Sequence, residues 1–344
     1  MAAFVPRAVF PTLDSLPRSY YLGHHAAGLS KMKSMLSQID LVIECRDYRI
    51  PLTSRNPMFE QSLGGKQRMV VYTKKDLGSD ALKEEMQQRH TLLKQFHAPS
   101  PVLFSDHKAS RDVRQVLSAI RQSATRAGSL TGSHLMIVGM PNVGKSSLLN
   151  ALRREGVNKG KVAHTGAQPG ITRKIGTSVK IIEGEDGRGG VYLLDTPGVF
   201  IPYVPDADSM LKLALCGSVK DTIIPPTTLA DYLLFHINLN QPSLYGSYHE
   251  PTNEISPLLA AIAQKTGRLI KGGEPDLEGT ALWMIQRWRQ GHVGRFMLDD
   301  VSEEAMELWK ESREAQGKSV NQMRRASKEA SRARVRSRRS ASGD

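Results

Sequence analysis

Apolar residues fall into two kinds of run along this chain. Leu41-Val42-Ile43, Met69-Val70-Val71-Tyr72, Val102-Leu103-Phe104 and Leu135-Met136-Ile137-Val138 are short, continuous and rich in branched side chains. That is the pattern of strands buried on both faces of a sheet. Residues 177–182 and 191–194 read as two more strands, separated by a glycine-rich turn over 184–190. Elsewhere the spacing is helical: Leu29, Met32, Met35, Leu36 and Ile39, then a charged stretch between Gly78 and Phe96, then Val113, Val116, Leu117 and Ile120. Residues 121–132, with their Ser, Thr, Gly and Arg, read as a linker. Strands alternating with helices predict a doubly wound, mostly parallel α/β sheet. Beyond about residue 205 the strand runs give way to helical spacing, through Leu211, Leu213 and Leu215, Leu229, Leu233 and Leu234, Leu258, Leu259 and Ile262, and Leu282, Ile285 and Trp288. The expected division is a leader over 1–28, an α/β domain over 29–205, a small helical domain over 206–305 and a tail over 306–344.

Composition adds a partner class. Of 344 residues 40% are apolar, enough for a sizeable core, and the formal net charge of +13 points to a polyanion such as nucleic acid or an anionic membrane. Residues 321–344 carry eight Lys or Arg against Glu329 and Asp344, a net +6. This tail is expected to be disordered in isolation and to add sequence-independent RNA affinity through phosphate contacts. No apolar run approaches the roughly 18 residues of a membrane span. Cys45 and Cys216 each lie in an apolar stretch and read as buried thiols of a reducing compartment. Residues 1–19 hold Arg7 and Arg18 against Asp14 alone. That is compatible with an organelle transit segment, while Pro6, Pro11 and Pro17 fit a disordered leader equally well.

The chemistry begins at Gly139-Met140-Pro141-Asn142-Val143-Gly144-Lys145-Ser146, which matches a phosphate-binding loop. A predicted strand precedes it, and a helix carrying Leu148, Leu149 and Leu152 follows. Glycines let backbone amides converge on phosphate oxygens, and the helix start adds partial positive charge. Asn142, Val143, Gly144, Lys145, Ser146 and Ser147 are therefore candidate nucleotide-binding residues. Lys145 is placed for the β and γ phosphates and the Ser146 hydroxyl for Mg²⁺. Asp195-Thr196-Pro197-Gly198 ends the strand at 191–194, so that Asp195 would hold the Mg²⁺ shell and the Gly198 amide would sense the γ-phosphate. Between the two motifs, Thr172 in Gln168-Pro169-Gly170-Ile171-Thr172-Arg173 would complete the Mg²⁺ shell from a loop that orders on the triphosphate.

Thr73-Lys74-Lys75-Asp76, just after a strand, points to guanine. The Asp76 carboxylate would accept two hydrogen bonds from guanine N1–H and the exocyclic amine, which adenine cannot supply. Lys74 would pack along the base. Thr73 stands where such motifs usually have Asn, leaving one polar contact open. Ser105, after the strand at 102–104, occupies the place of a second base-contacting loop. The guanine motif precedes the phosphate loop, the reverse of the usual order, so the α/β domain is circularly permuted. An RNA-binding scaffold that barely hydrolyses GTP, or a P-loop ATPase or kinase, are the alternatives; the intact Lys145, Ser146, Thr172 and Asp195 disfavour the first and Asp76 the second.

Together with Gly23-His24, Gly28-Leu29, Arg46-Asp47-Tyr48-Arg49-Ile50-Pro51, Ser54-Arg55-Asn56-Pro57 and Gly217-Ser218-Val219-Lys220-Asp221, these motifs resemble the circularly permuted YlqF/RbgA ribosome-assembly GTPases over residues 20–300, and within them the mitochondrial ribosome-associated GTPases. The resemblance implies a GTP/GDP-binding hydrolase in the mitochondrial matrix that helps mature the large ribosomal subunit by binding rRNA through its helical domain, with peripheral contact to the inner membrane. It also implies a catalytic histidine. The residue after the Gly198 position is Val199, followed by Phe200, and neither can orient water as the glutamine of Ras-like proteins does. His24 takes that role by the family pattern, with adjacent His25 the alternative. Asn142 matches the asparagine that ligates K⁺ in potassium-activated relatives, or is a loop-capping residue.

Overall fold

The run Leu41–Asp47 forms β1, and every one of its residues is buried, because strands pair with it on both sides. The structure, a computed structural model, describes residues 4–11, 35–63, 65–78, 82–127, 132–160, 178–184, 189–195 and 204–309. After β1 come α1 (Pro57–Ser62), β2 (Gln67–Thr73), α2 (Lys83–His97), β3 (Val102–Ser105), α3 (Ser110–Ala127), β4 (Ser133–Val138), α4 (Lys145–Val157), β5 (Val179–Ile182), β6 (Val191–Asp195), α5 (Ala207–Leu215), α6 (Pro226–Asn240), α7 (Ile255–Thr266) and α8 (Leu277–Arg289). Residues 303–309 are also helical.

The strands form one sheet in the order β3-β2-β1-β4-β6-β5, parallel throughout except for β5, which runs antiparallel to β6 at the edge. The expected doubly wound sheet is present. Alternation along β2 sorts side chains between its two faces. Met69 and Val71 join the main core with Val113, Val116 and Ile120 of α3. Val70 and Tyr72 join a smaller cluster with Leu93 of α2 and with Val301 and Met306. The main core continues without a break into α5–α8, through Met210, Leu213, Leu233, Leu259 and Trp288. Two of these helices start on carboxylate caps: Asp206 accepts from Ser209 N at 2.7 Å and Asp276 from Gly279 N at 2.8 Å, each satisfying an orphan first-turn amide.

One boundary departs from expectation. Residues 121–132 are not all linker, because α3 runs on to Ala127. The apolar stripe continues past Ile120 to Ala124, which packs on the core, and neither Gly nor Pro occurs before Gly128. Burial of that stripe outweighs the modest helix penalty of Ser and Thr.

His90 of α2 makes the fold acid-sensitive. Its ring stacks on Phe104 with centroids 3.7 Å apart, and its Nε2 is buried with no hydrogen-bond partner among the described residues. Burial, with Lys75 and Lys94 nearby, pushes its pKa from 6.5 down to about 4. The unfolded chain therefore takes up this proton as pH falls below about 6.5 while the folded chain refuses it until about pH 4. Stability should drop through that window and level off below it, by on the order of 2 kcal/mol for this ring. Melting temperature between pH 7 and 4.5 should fall less steeply in His90→Phe than in the parent; parallel curves would remove His90 as the cause.

Candidate nucleotide-binding site

β1 and β4 lie side by side and parallel, Leu41 opposite Leu135 and Glu44 opposite Val138. From β1 the chain winds outward to β2 and β3, and from β4 to the opposite side. Their carboxyl ends therefore open the crevice at which doubly wound sheets bind ligands. The phosphate loop fills one wall of it, directly after β4, and α4 begins at Lys145. Gly139 sits at φ 144° and a Cβ there would lie 2.3 Å from Cys45 O, so only glycine lets the loop cross β1 this closely. Asn142 at φ 57° and Gly144 at φ 95° complete the turn. Such a reversal points successive amides inward as an anion nest, with the positive end of α4 behind it. Lys145 is buried, its Nζ donating to Gly139 O at 2.9 Å and Met140 O at 2.7 Å. The ammonium is thus held over its own loop, where a phosphate oxygen would replace these carbonyls.

β2 delivers the guanine motif to the same end, with Thr73 opposite Asp47 in the ladder. The contact left open by Thr73 is made in another way: its Oγ1 lies 3.0 Å from Arg46 O and also reaches Val143 O. One hydroxyl proton serves one of these at a time: the first bond stays within the β1–β2 pair, and the second ties β2 to the phosphate loop. Lys74, in the left-handed conformation at φ 56°, donates from Nζ to Asn142 O at 2.5 Å and Asp47 Oδ2 at 2.8 Å. Asp76 lies in the middle of the turn that follows, Lys75–Leu77, its carboxylate three-quarters buried and 3.9 Å from Lys108 Nζ. Ser105 pairs with Thr73 in register but is completely buried, and its hydroxyl has no partner among the described residues. The loop over 106–108 is what stands beside Asp76.

Two residues quoted above only within a matching stretch, with no role assigned, hold this arrangement. Asp47 is buried and takes Arg49 as a fork, Nε at 3.0 Å and Nη2 at 2.8 Å, as well as Lys74. Burial raises the Asp47 carboxyl's pKa, but Arg49 and Lys74 outweigh that and hold it well below the usual carboxylate range. Burial lowers the Lys74 ammonium's pKa, and Asp47 offsets only part of the shift. Arg49 lies with its guanidinium 4.7 Å from the Trp288 ring and accepts Leu298 N at its carbonyl at 2.8 Å. Arg46 and Arg55, from the same stretch of sequence, go instead into an ion cluster with Glu44, Glu60 and Arg68, away from the crevice.

The helices reach the phosphate loop through the turn after α5. Asn142 Nδ2 donates to Gly217 O at 2.7 Å and Ser218 Oγ to Pro141 O at 3.0 Å. Arg289 of α8 braces that turn, bonding Ala214 O at 2.7 Å, Leu215 O at 2.9 Å and Asp221 at 2.6 Å. Asp195 closes β6 opposite Ile137, at the same end of the sheet as the loop. Ser146 and Ser147 lie in the first turn of α4. His24, Thr172 and Gly198 lie outside the described residues, as does the tail over 321–344. Cys45 and Cys216 are both buried free thiols, Cys216 pushed up to about 12 by burial. No helix among the described residues is long and apolar enough to cross a membrane.

Comparison with known proteins agrees with this geometry. A sequence profile described as a 50S ribosome-binding GTPase matches residues 134–264, beginning at β4 and so leaving the guanine motif ahead of it. GNP-bound YlqF from T. maritima superposes with a TM-score of 0.53 at 22% identity, covering 79% of this chain and 97% of its own, which shows the fold. Mitochondrial ribosome-associated GTPase 1 of Bos taurus is 36% identical over 312 residues, 85% of this chain and 92% of the relative. Mitochondrial GTPase 1 of Schizosaccharomyces pombe is 37% identical over 315 residues, 87% of this chain and 94% of that protein. With its guanine strand preceding its phosphate-loop strand, and with that identity over almost the whole of both chains, this protein belongs to the mitochondrial GTPase 1 family of circularly permuted GTP hydrolases.

Proposed function

We propose that this GTPase acts in the mitochondrial matrix, peripherally on the inner membrane, as a GTP-driven switch in assembly of the large ribosomal subunit, and that it contacts rRNA through residues 206–305. The observation that carries the reading is the pair of bonds from Asn142 and Pro141 to Gly217 and Ser218. They join the loop that grips phosphate to the helices, so a change at one is felt at the other. The names of the curated relatives, mitochondrial and ribosome-associated, supply the setting.

The donor set at the phosphate end suits Mg²⁺. Hydroxyls of Ser146 and Thr172 and the Asp195 carboxylate are hard oxygen ligands, and the close crossing of the loop over β1 at Gly139 supports a phosphate-binding turn beside them. When bound, Mg²⁺ neutralises charge on the β and γ oxygens. Lys145 shares that work, the Gly198 amide meets the γ-phosphate, and His24 orients the attacking water. For K⁺, Asn142 would ligate through Oδ1, since its Nδ2 is given to Gly217. The leader over 1–28 brings His24, the permuted domain 29–205 binds nucleotide, and the basic tail within 306–344 adds phosphate contacts.

The test is sedimentation of the protein with mitochondrial large-subunit particles under a non-hydrolysable GTP analogue and under GDP. Strong co-sedimentation with the analogue and release with GDP is the expected result. Equal binding in both states would end the switch reading.

A further inference from the structure

Outside the nucleotide crevice, an unusual surface lies where α7 and α8 meet. Trp283 on α8 is half-buried, and two guanidiniums lie over its ring: Arg268 at 4.9 Å and Arg287 at 5.4 Å. Tyr248 stands edge-on to the same ring at 6.5 Å, with the Lys265 ammonium 5.4 Å from the Tyr248 ring centre. No carboxylate among the described residues lies within ion-pair distance of Arg268 or Arg287, although Glu274 and Glu278 are near in sequence. The Nε atoms of both arginines are shielded from water without a hydrogen-bond partner among the described residues. Next to them a short hairpin, closed by Ile270 N to Glu274 O at 2.9 Å, leaves Leu269 47% and Ile270 50% exposed.

Two guanidiniums held over one ring are ordinarily matched by a neighbouring carboxylate when they are partly withdrawn from water. Here the two cations rest against the ring instead, which leaves their charge unspent. We propose that this face binds an unpaired RNA strand, its bases stacking on the guanidiniums that lie over Trp283 and on Tyr248, its phosphates taken by the same arginines. Unpaired bases stack on aromatic rings and guanidinium planes, and their phosphates meet the same arginines. A duplex offers the phosphates but hides its base faces. The exposed aliphatic pair at the hairpin suits a base or sugar face and gains nothing from a duplex backbone. The inference rests on the rRNA-contact reading above and names the form of RNA that the helical region takes.

The experiment is fluorescence anisotropy of the full chain, loaded with a non-hydrolysable GTP analogue, on a labelled oligoadenylate of about a dozen nucleotides, a length within the usual site size for unpaired strands, and on an RNA duplex of similar length. Titrations run across salt concentrations. In Arg268→Gln/Arg287→Gln, strand affinity should fall about tenfold at low salt, and the salt slope should shrink by about 1.4, two phosphates at 0.7 each. Trp283→Leu should weaken the single strand several-fold and the duplex clearly less. The tail contributes equally to all variants and cancels. Unchanged melting temperature and unstimulated GTP hydrolysis keep a folding defect apart, and Trp283→Phe, which keeps a ring, should restore most of the binding. An unaltered salt slope in the double variant overturns the proposal. So does an unchanged RNA affinity accompanied by arginine-dependent flotation on phosphatidylglycerol vesicles, which would make the face a lipid contact. The two readings fail separately: a parent protein that pellets with large subunits beside a double variant with parental RNA binding sinks this proposal alone.

Discussion

Asp76→Asn is expected to lose on the order of 2–4 kcal/mol of GTP affinity, and to bind xanthosine triphosphate better than the parent does. The carboxylate accepts two donors from guanine; an amide presents a donor that clashes with one of them and suits the carbonyl that xanthine carries instead. The surroundings sharpen the expectation. Asp76 is three-quarters buried and close to Lys108. The strand before it is fastened to the phosphate loop by Thr73 and Lys74, so the variant side chain has little room to turn away. Titration of both nucleotides by a fluorescent analogue decides it. A GTP affinity equal to the parent's would remove the guanine assignment.

His24→Ala is expected to leave nucleotide affinity nearly intact and to cut particle-stimulated hydrolysis by about 10²-fold, the usual scale for a positioned acid–base group. The motive is Val199 and Phe200, which put two apolar side chains where Ras-like proteins have a water-orienting glutamine. A neutral imidazole orients water or takes a proton near pH 7. Hydrolysis by the free protein should be slow if, as proposed, the ring is presented only on the particle. Side-by-side kinetics of His24→Ala and His25→Ala, with and without large subunits, make the measurement. Full stimulated turnover in His24→Ala would sink the assignment, and a defect confined to His25→Ala would move the role along by one residue.

Much of the nucleotide site was legible because its parts are local. A phosphate loop is a strand, a turn that only certain φ values permit, and a helix start, all within about ten residues, so Gly139, Gly144 and Lys145 stand out in the text of the chain. Thr73 was half legible. Its position announced a base-binding motif, but its bond to Val143 O depends on strands β2 and β4 closing around β1, which spacing along the chain does not reveal. Asp47 and Arg49 were invisible as supports of the pocket for the same reason. They read as a matched stretch of sequence, and their purpose appears only when the ladder sets Asp47 opposite Thr73 and α8 brings Trp288 beneath Arg49. The end of α3 was misjudged because Ser and Thr signal a loop by composition, while the burial of Ala124 that overrides them is a tertiary fact.

The stacking of Arg49 on Trp288 also bears on how such a protein can change over generations. A helical segment spliced in from another permuted GTPase would bring its own surface to the underside of the guanine pocket, and the arginine there would lose its neighbour. Arg49 would then pull on Asp47 from a different place, and Asp47 on Lys74. The helix that carries Trp288 and the strand end that carries Asp47 and Arg49 should therefore exchange only together. Drift at Trp288 would surface as a looser grip on nucleotide in a chain whose every nucleotide-binding residue is still intact.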